Sequence, residues 1–171
     1  MLKRVILSVF IGFMVIVLGL GYGFVNLKSN SVYYAQRTPH SEGVEPVLME
    51  VVRNLDWSYT PDINGISYDY DGYRNIYNNQ NSKHEEEYFA YNFSGEYRYY
   101  DGESRIYIFD DRFRLLRVFN GKTLKYSNDS VDVSAVKRDI YRVVQPVIDA
   151  QPEPLINLQW IYDWVNKDRF N

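Results

Sequence analysis

The chain has 171 residues, a net charge of -3 and no cysteine. That length suits one domain with an appendage, large enough to bury a core without covalent staples. The missing cysteine excludes a disulfide scaffold, a thiolate metal site, a cysteine nucleophile and a lipidated-cysteine anchor.

Charge is distributed unevenly. Residues 42–103 carry 13 acidic and 4 basic residues, whereas 104–131 carry 6 basic and 3 acidic ones. An acidic half followed by a basic segment argues against nucleic acid as partner and favours a basic protein or a cation. The same acidity also serves solubility. Ten of the 17 tyrosines fall between Tyr59 and Tyr100. Tyrosine suits half-buried strands and also binding surfaces, where it adds contact area at low entropic cost.

At the N-terminus, Val5 to Val25 form 21 residues without a charge. As a helix they reach roughly 30 Å, the thickness of a bilayer core. Lys3 and Arg4 precede the run, which keeps the N-terminus in the cytoplasm and places the rest of the chain outside. The run is long for a cleaved signal, and no good small-x-small site follows it, so we read it as a retained anchor. The expected organisation is a cytoplasmic N-terminus and transmembrane anchor over 1–27, a tether over 28–42, and an extracytoplasmic α+β domain over 43–171.

Residues 44–55 place Val44, Val47, Leu48, Val51, Val52 and Leu55 on one helical stripe. Ser41 is the expected cap, and Pro46 falls in the first turn, where its missing N–H costs little. From Trp57 to Tyr126 the period changes to two. Ile66, Tyr68 and Tyr70 alternate with polar residues, and so do Phe89, Tyr91 and Phe93. Asn64-Gly65, Asp71-Gly72, Ser94-Gly95 and Asp101-Gly102 mark turns. Residues 74–87 are polar and read as a long loop or hairpin tip. Arg105 to Phe109 and Phe113 to Phe119 read as paired strands around Asp110-Asp111-Arg112. Asn120-Gly121 then signals a tight hairpin into Thr123–Tyr126. The second helical region, 132–150, carries an apolar face from Val136 to Ile148, with a kink or break expected at Pro146. A last helix is expected over Leu155–Asp168, with Trp160, Trp164 and Phe170 as core anchors. The fold class is therefore α+β: an N-terminal transmembrane helix followed by an antiparallel sheet packed against N- and C-terminal helices.

Signatures of catalysis are absent from the sequence. His40 and His84 form no zinc-type pair, and there is no nucleophile elbow, phosphate loop or dinucleotide fingerprint. Asp69-Tyr70-Asp71-Gly72 opens like a calcium loop, but Asn78 occupies the position where an acid is required, so a turn is the better reading. Glu85-Glu86-Glu87 reads as an acidic loop. The strand around Arg114 and Arg117 leaves no purely polar sheet face. One side should then be covered by helices, and the other should be a partly exposed tyrosine-rich docking surface. The candidate partner-binding residues are Tyr68, Asp69, Tyr70, Asp71, Glu85, Glu86 and Glu87. No catalytic, cofactor-binding or metal-ligating residue is expected.

The N-terminal anchor, the acidic tyrosine-rich domain without cysteine, the segment Leu155-Ile156-Asn157-Leu158-Gln159-Trp160-Ile161-Tyr162 and the strand-turn Tyr107-Ile108-Phe109-Asp110-Asp111 together resemble TipC-type immunity proteins of streptococci and their relatives. The resemblance implies a curved antiparallel sheet backed by helices on the outer face of a Gram-positive cell. It also implies a partner: a secreted LXG-type toxin of the type VII system, resembling a lipid II phosphatase and neutralised by direct binding. The alternative is an extracytoplasmic accessory or sensor domain of a membrane complex, which would depend on a particular transmembrane face. A carboxylate-based wall hydrolase is a more distant third.

Overall fold

The computed structural model describes residues 2–70, 72–79, 86–92, 94–127 and 130–171. The first helix, α1, runs over Leu2–Ser29. Its segment Ile6–Ser29 is long and apolar enough to cross a membrane. Ile6, Phe10, Ile16 and Leu20 are all exposed, so no protein surface explains their hydrophobicity.

Two short helices follow, α2 (Ser31–Ala35) and α3 (Pro46–Arg53). The expectation of a tether over 28–42 is corrected here. Val32, Tyr34 and Ala35 are buried in the main core. The Tyr34 hydroxyl donates to Asn26 Oδ1 at 2.6 Å and accepts from the Leu158 N–H at 3.1 Å. A polar run thus contains an apolar knot that the rest of the chain closes over. We expect a fragment starting at residue 36 to lose the cooperative urea transition that a fragment starting at Asn26 retains, followed by circular dichroism. Equal transitions would show that α2 is dispensable.

The α3 helix starts at Pro46, with Glu45 rather than Ser41 at its N-cap. Leu48, Met49, Val51, Val52 and Leu55 are buried, as their helical spacing requires.

Seven strands then form one antiparallel sheet in simple sequential order. They are β1 (Ile66–Asp69), β2 (Tyr73–Asn78), β3 (Glu87–Asn92), β4 (Tyr97–Tyr100), β5 (Arg105–Phe109), β6 (Leu115–Asn120) and β7 (Lys125–Ser127). Strands β2 and β3 occupy both ends of the segment 74–87 that reads as a loop in the sequence. Its polar residues are tolerated because they alternate with Ile76 and Phe89, which pair across the strands. Gly95 and Gly102 take positive φ in the turns flanking β4, a conformation that costs glycine nothing.

Two turns differ from expectation. After β5, Asp110 accepts the N–H groups of Arg112 and Arg114 at 3.0 and 2.9 Å. Phe113 sits at φ 62°, outside any strand, with its ring fully buried. After β6, Asn120 pairs with Lys125, so residues 121–124 form the loop rather than a two-residue hairpin. Asn120 Oδ1 organises that loop by accepting from Lys122 and Thr123 N–H at 3.0 Å each.

The chain closes with α4 (Val133–Asp149) and α5 (Gln159–Phe170). Asp132 caps α4 by accepting from the Ala135 N–H at 3.0 Å. The helix continues through Pro146, because Val147 and Ile148 beyond it are buried. Burying each such side chain is worth about 1.5–3 kcal/mol, enough to outweigh the single helical bond that proline removes.

Helices α3 and α4 pack on β2 and β3. The register directs Ile76, Phe89, Tyr99, Tyr107 and Val118 to that same side, and all five are buried. The architecture is α+β, a curved open sheet with helices at both ends of the chain.

Candidate functional site

Because the side-chain period of a strand is two, the register that sends Phe89 and Tyr99 to the helices sends Tyr88, Ala90, Arg98 and Tyr100 to the other side. Among the described residues, no helix covers that side. Asp69, Tyr73, Asn75, Tyr77, Tyr88, Ala90 and Arg98 line a groove of about 350 Å³ there. A second hollow of about 430 Å³, lined by Tyr77, Glu86, Tyr88 and Tyr100, continues it. The two share Tyr77 and Tyr88, so they are parts of one surface. Its floor is recessed: Ala90 and Asn75 are buried.

Aromatic rings form a ladder across three strands. Tyr77 and Tyr88 have ring centroids 5.6 Å apart, and Tyr88 and Tyr100 are 5.5 Å apart. Such cross-strand pairs stiffen a sheet face. The Arg98 guanidinium lies 5.4 Å from the Tyr73 ring centroid and donates to its hydroxyl at 3.2 Å. Arg117 lies 5.3 Å from the ring centroid of Tyr126.

Glu96 ties these groups together. Its two carboxylate oxygens accept from Arg98 and Arg117 at 3.0 Å each. Asn92 holds it from below, donating to the carboxylate at 3.1 Å and accepting the Glu96 N–H at 2.8 Å. The Arg98 hydrogen bond, with those of Asn92 and the charge of both arginines, outweighs burial and keeps the Glu96 carboxyl below its ordinary pKa. Two guanidiniums are thus neutralised and fixed in place; Asp69 and Glu86 are among the residues that line the two hollows.

The candidate residues named from the sequence divide. Asp69 lines the groove and Glu86 its continuation. Tyr68 lies on the helix side, where it pairs with Ile76 and donates to the Pro61 carbonyl at 3.0 Å; burial pushes its phenol up to about 12. Tyr70 is exposed beyond the end of β1. Glu87 is turned inward, 4% exposed, and meets Arg142 of α4 at 2.9 Å. It therefore fastens a helix to the sheet and offers no carboxylate to a partner. Asp71 and Glu85 lie outside the described residues. Tyr73, Tyr77, Tyr88, Tyr100 and Arg98 are not singled out by the sequence. Their only signal was alternation with buried aromatics, which does not say which face stays open.

No family model matches the chain, and neither a curated protein nor a solved structure matches it. The geometry must carry the functional reading. Among the described residues, no group of three His, Asp or Glu stands close enough to hold a metal ion. What the groove offers is preordered tyrosine and arginine with a recessed floor, a composition that binds protein surfaces well: such side chains dominate interface energetics and lose little entropy on binding.

Proposed function

We propose that the chain is a membrane-anchored immunity protein whose tyrosine-lined sheet face binds and neutralises a secreted LXG-type toxin acting on cell-wall precursor outside the membrane. The observation that carries this reading is a sheet face left uncovered by any helix yet lined by an aromatic ladder and a fixed Arg98–Glu96–Arg117 bridge. Glu86, exposed along the groove, suits a basic patch on the toxin and would speed its capture. The apolar helix α1 supplies the anchor, confining the inhibitor to the surface where the toxin works and raising its effective concentration. In this reading the N-terminus is cytoplasmic and the folded domain extracellular.

The test is capture of the secreted proteins of the source organism by full-length chain in lipid nanodiscs. One LXG-type toxin should be recovered in near-stoichiometric amount. Tyr88→Ala and Arg98→Ala should each weaken that complex by about 30-fold or more, the effect of losing a central anchor at about 2 kcal/mol. Leu124→Ala, on the far β6–β7 loop, should leave it unchanged. Recovery of no toxin when one is demonstrably present would overturn the immunity reading. Undiminished binding by both groove variants would move the interface elsewhere.

A further inference from the structure

The chain contains three tryptophans, and none of them is in the core. Trp57, Trp160 and Trp164 are 45%, 72% and 75% exposed. Sequence periodicity places Trp160 and Trp164 as core anchors; the structure corrects this. The α5 helix turns Tyr162 and Phe170 into the core and presents Trp160 and Trp164, one turn apart, on the opposite side, while Val165, also exposed, flanks them toward α1. The loop before it holds Leu155 and Ile156, 98% and 54% exposed. An apolar surface of this kind is costly in water unless something covers it.

Its position says what does. The Ile156 carbonyl accepts from Asn26 Nδ2 at 3.2 Å and lies equally far from the Tyr34 hydroxyl, whose proton goes to Asn26 Oδ1. The Trp57 ring meets Phe24 edge-on with centroids 5.7 Å apart. Val165 lines one cavity with Phe24 and Leu27. Gln151 donates to the Tyr59 carbonyl at 2.8 Å, holding the loops that carry Trp57 and Leu155 together. The contacts of Ile156, Trp57 and Val165 gather at residues 24–27 of α1. Counted from Ile6 at about 1.5 Å per residue, that point lies roughly 30 Å along the helix, where a spanning segment leaves the hydrocarbon. Asn26, buried and hydrogen bonded, is the first polar side chain after the apolar run.

We infer that Trp57, Leu155, Ile156, Trp160, Trp164 and Val165 form a lipid-contacting surface that seats the folded domain in the interfacial layer of the bilayer. This rests on α1 being a membrane span. Tryptophan favours that layer because its ring is apolar and its N–H can meet water and headgroups. Lys167 and Asp168, exposed further along α5, stay on the water side, so the helix dips at its N-terminal end. The domain is then held at two places, by the span and by this surface. That fixes its tilt and the direction in which the sheet groove faces.

The experiment uses the full chain in vesicles of phosphatidylcholine and phosphatidylglycerol. Since every tryptophan belongs to this surface, tryptophan emission excited selectively beyond the absorption of the 17 tyrosines reports it alone. Phosphatidylcholine brominated near the headgroup end of its acyl chains should quench most of the emission, and more strongly than lipid brominated deeper. The cysteine-free chain allows a second reading: an environment-sensitive dye on Leu155→Cys should emit as in an apolar medium and be quenched by the same lipid. The same dye on Thr123→Cys, in the β6–β7 loop, should emit as in water. Resistance to alkaline carbonate extraction reports the span separately. Unquenched tryptophan and a water-like Leu155→Cys dye in carbonate-resistant protein would overturn the inference while leaving the anchor intact. An apolar dye signal without lipid quenching would overturn it in favour of a protein partner on this surface. Release by carbonate would overturn both.

Discussion

Replacing Arg169 by alanine should lower the stability of the domain by about 3 kcal/mol, measured by urea unfolding of the full chain in detergent. Glu50 of α3 is 2% exposed, and Arg169 of α5 pairs with it. Asn54 donates to the same carboxylate, and Arg169 donates onward to the Tyr97 hydroxyl at 3.2 Å. Burial disfavours the guanidinium charge, but the Glu50 carboxylate outweighs it and holds the Arg169 pKa above its ordinary value. Burial also pushes the Tyr97 phenol up to about 12, so it remains neutral and can accept the hydrogen bond. Without Arg169, Glu50 keeps the Asn54 amide and the more distant charge of Lys28, at a place that water reaches poorly. A cavity of about 280 Å³ beside the pair admits some solvent, which places the expected loss at the lower end for a broken buried pair. Glu50→Leu combined with Arg169→Met should cost much less, because it removes both charges. A loss below about 1 kcal/mol for Arg169→Ala would show that the pair is well hydrated.

Phe113→Ala should cost about 3–5 kcal/mol, the range for emptying a buried aromatic site. The ring stacks on Phe109 at 4.7 Å between centroids and meets Tyr97 at 5.4 Å and Phe89 at 5.9 Å. It therefore joins strands β3, β4 and β5 at one end of the sheet. The backbone at φ 62° is unfavourable for any L side chain. The fold tolerates it because the ring then enters the core. Alanine would retain that backbone cost and lose the ring. Phe113→Gly loses the ring but relieves the backbone, so the two variants should unfold within about 1 kcal/mol of each other. A much more stable glycine variant would mean that the backbone term, rather than the ring, dominates at this turn.

Much of the architecture was legible in the chain itself. The uninterrupted run Val5–Val25 specifies a helix that needs an apolar surrounding. The stripe Val136, Ile140, Val143, Val144, Val147 and Ile148 specifies α4, because no other arrangement buries all six on one side. Alternation across Arg105–Phe109 specifies a strand, and turn residues at short intervals specify neighbours that run antiparallel. The α+β class follows from these local periods.

Periodicity divides an element into faces; it does not say what each face meets. Tyr88 and Phe89 are both aromatic strand residues, and only the packing of α3 and α4 on β2 and β3 makes Phe89 core and Tyr88 groove. Glu87 belongs to an acidic run by sequence, yet the register of β3 turns it toward Arg142 while Glu86 stays outside. Val32 and Tyr34 sit in a polar stretch too short to show a period, and long-range contact with Leu158 makes them core. On α5, Trp160 and Trp164 form as convincing an apolar stripe as any core helix. A helix with apolar residues on two sides can bury only one of them against its own domain. The local sequence therefore determined the elements and their faces. The tertiary structure decided which faces are filled from within and which stay exposed, because that choice depends on contacts between residues far apart in the chain, 55 positions for Glu87 and Arg142 and 124 for Tyr34 and Leu158.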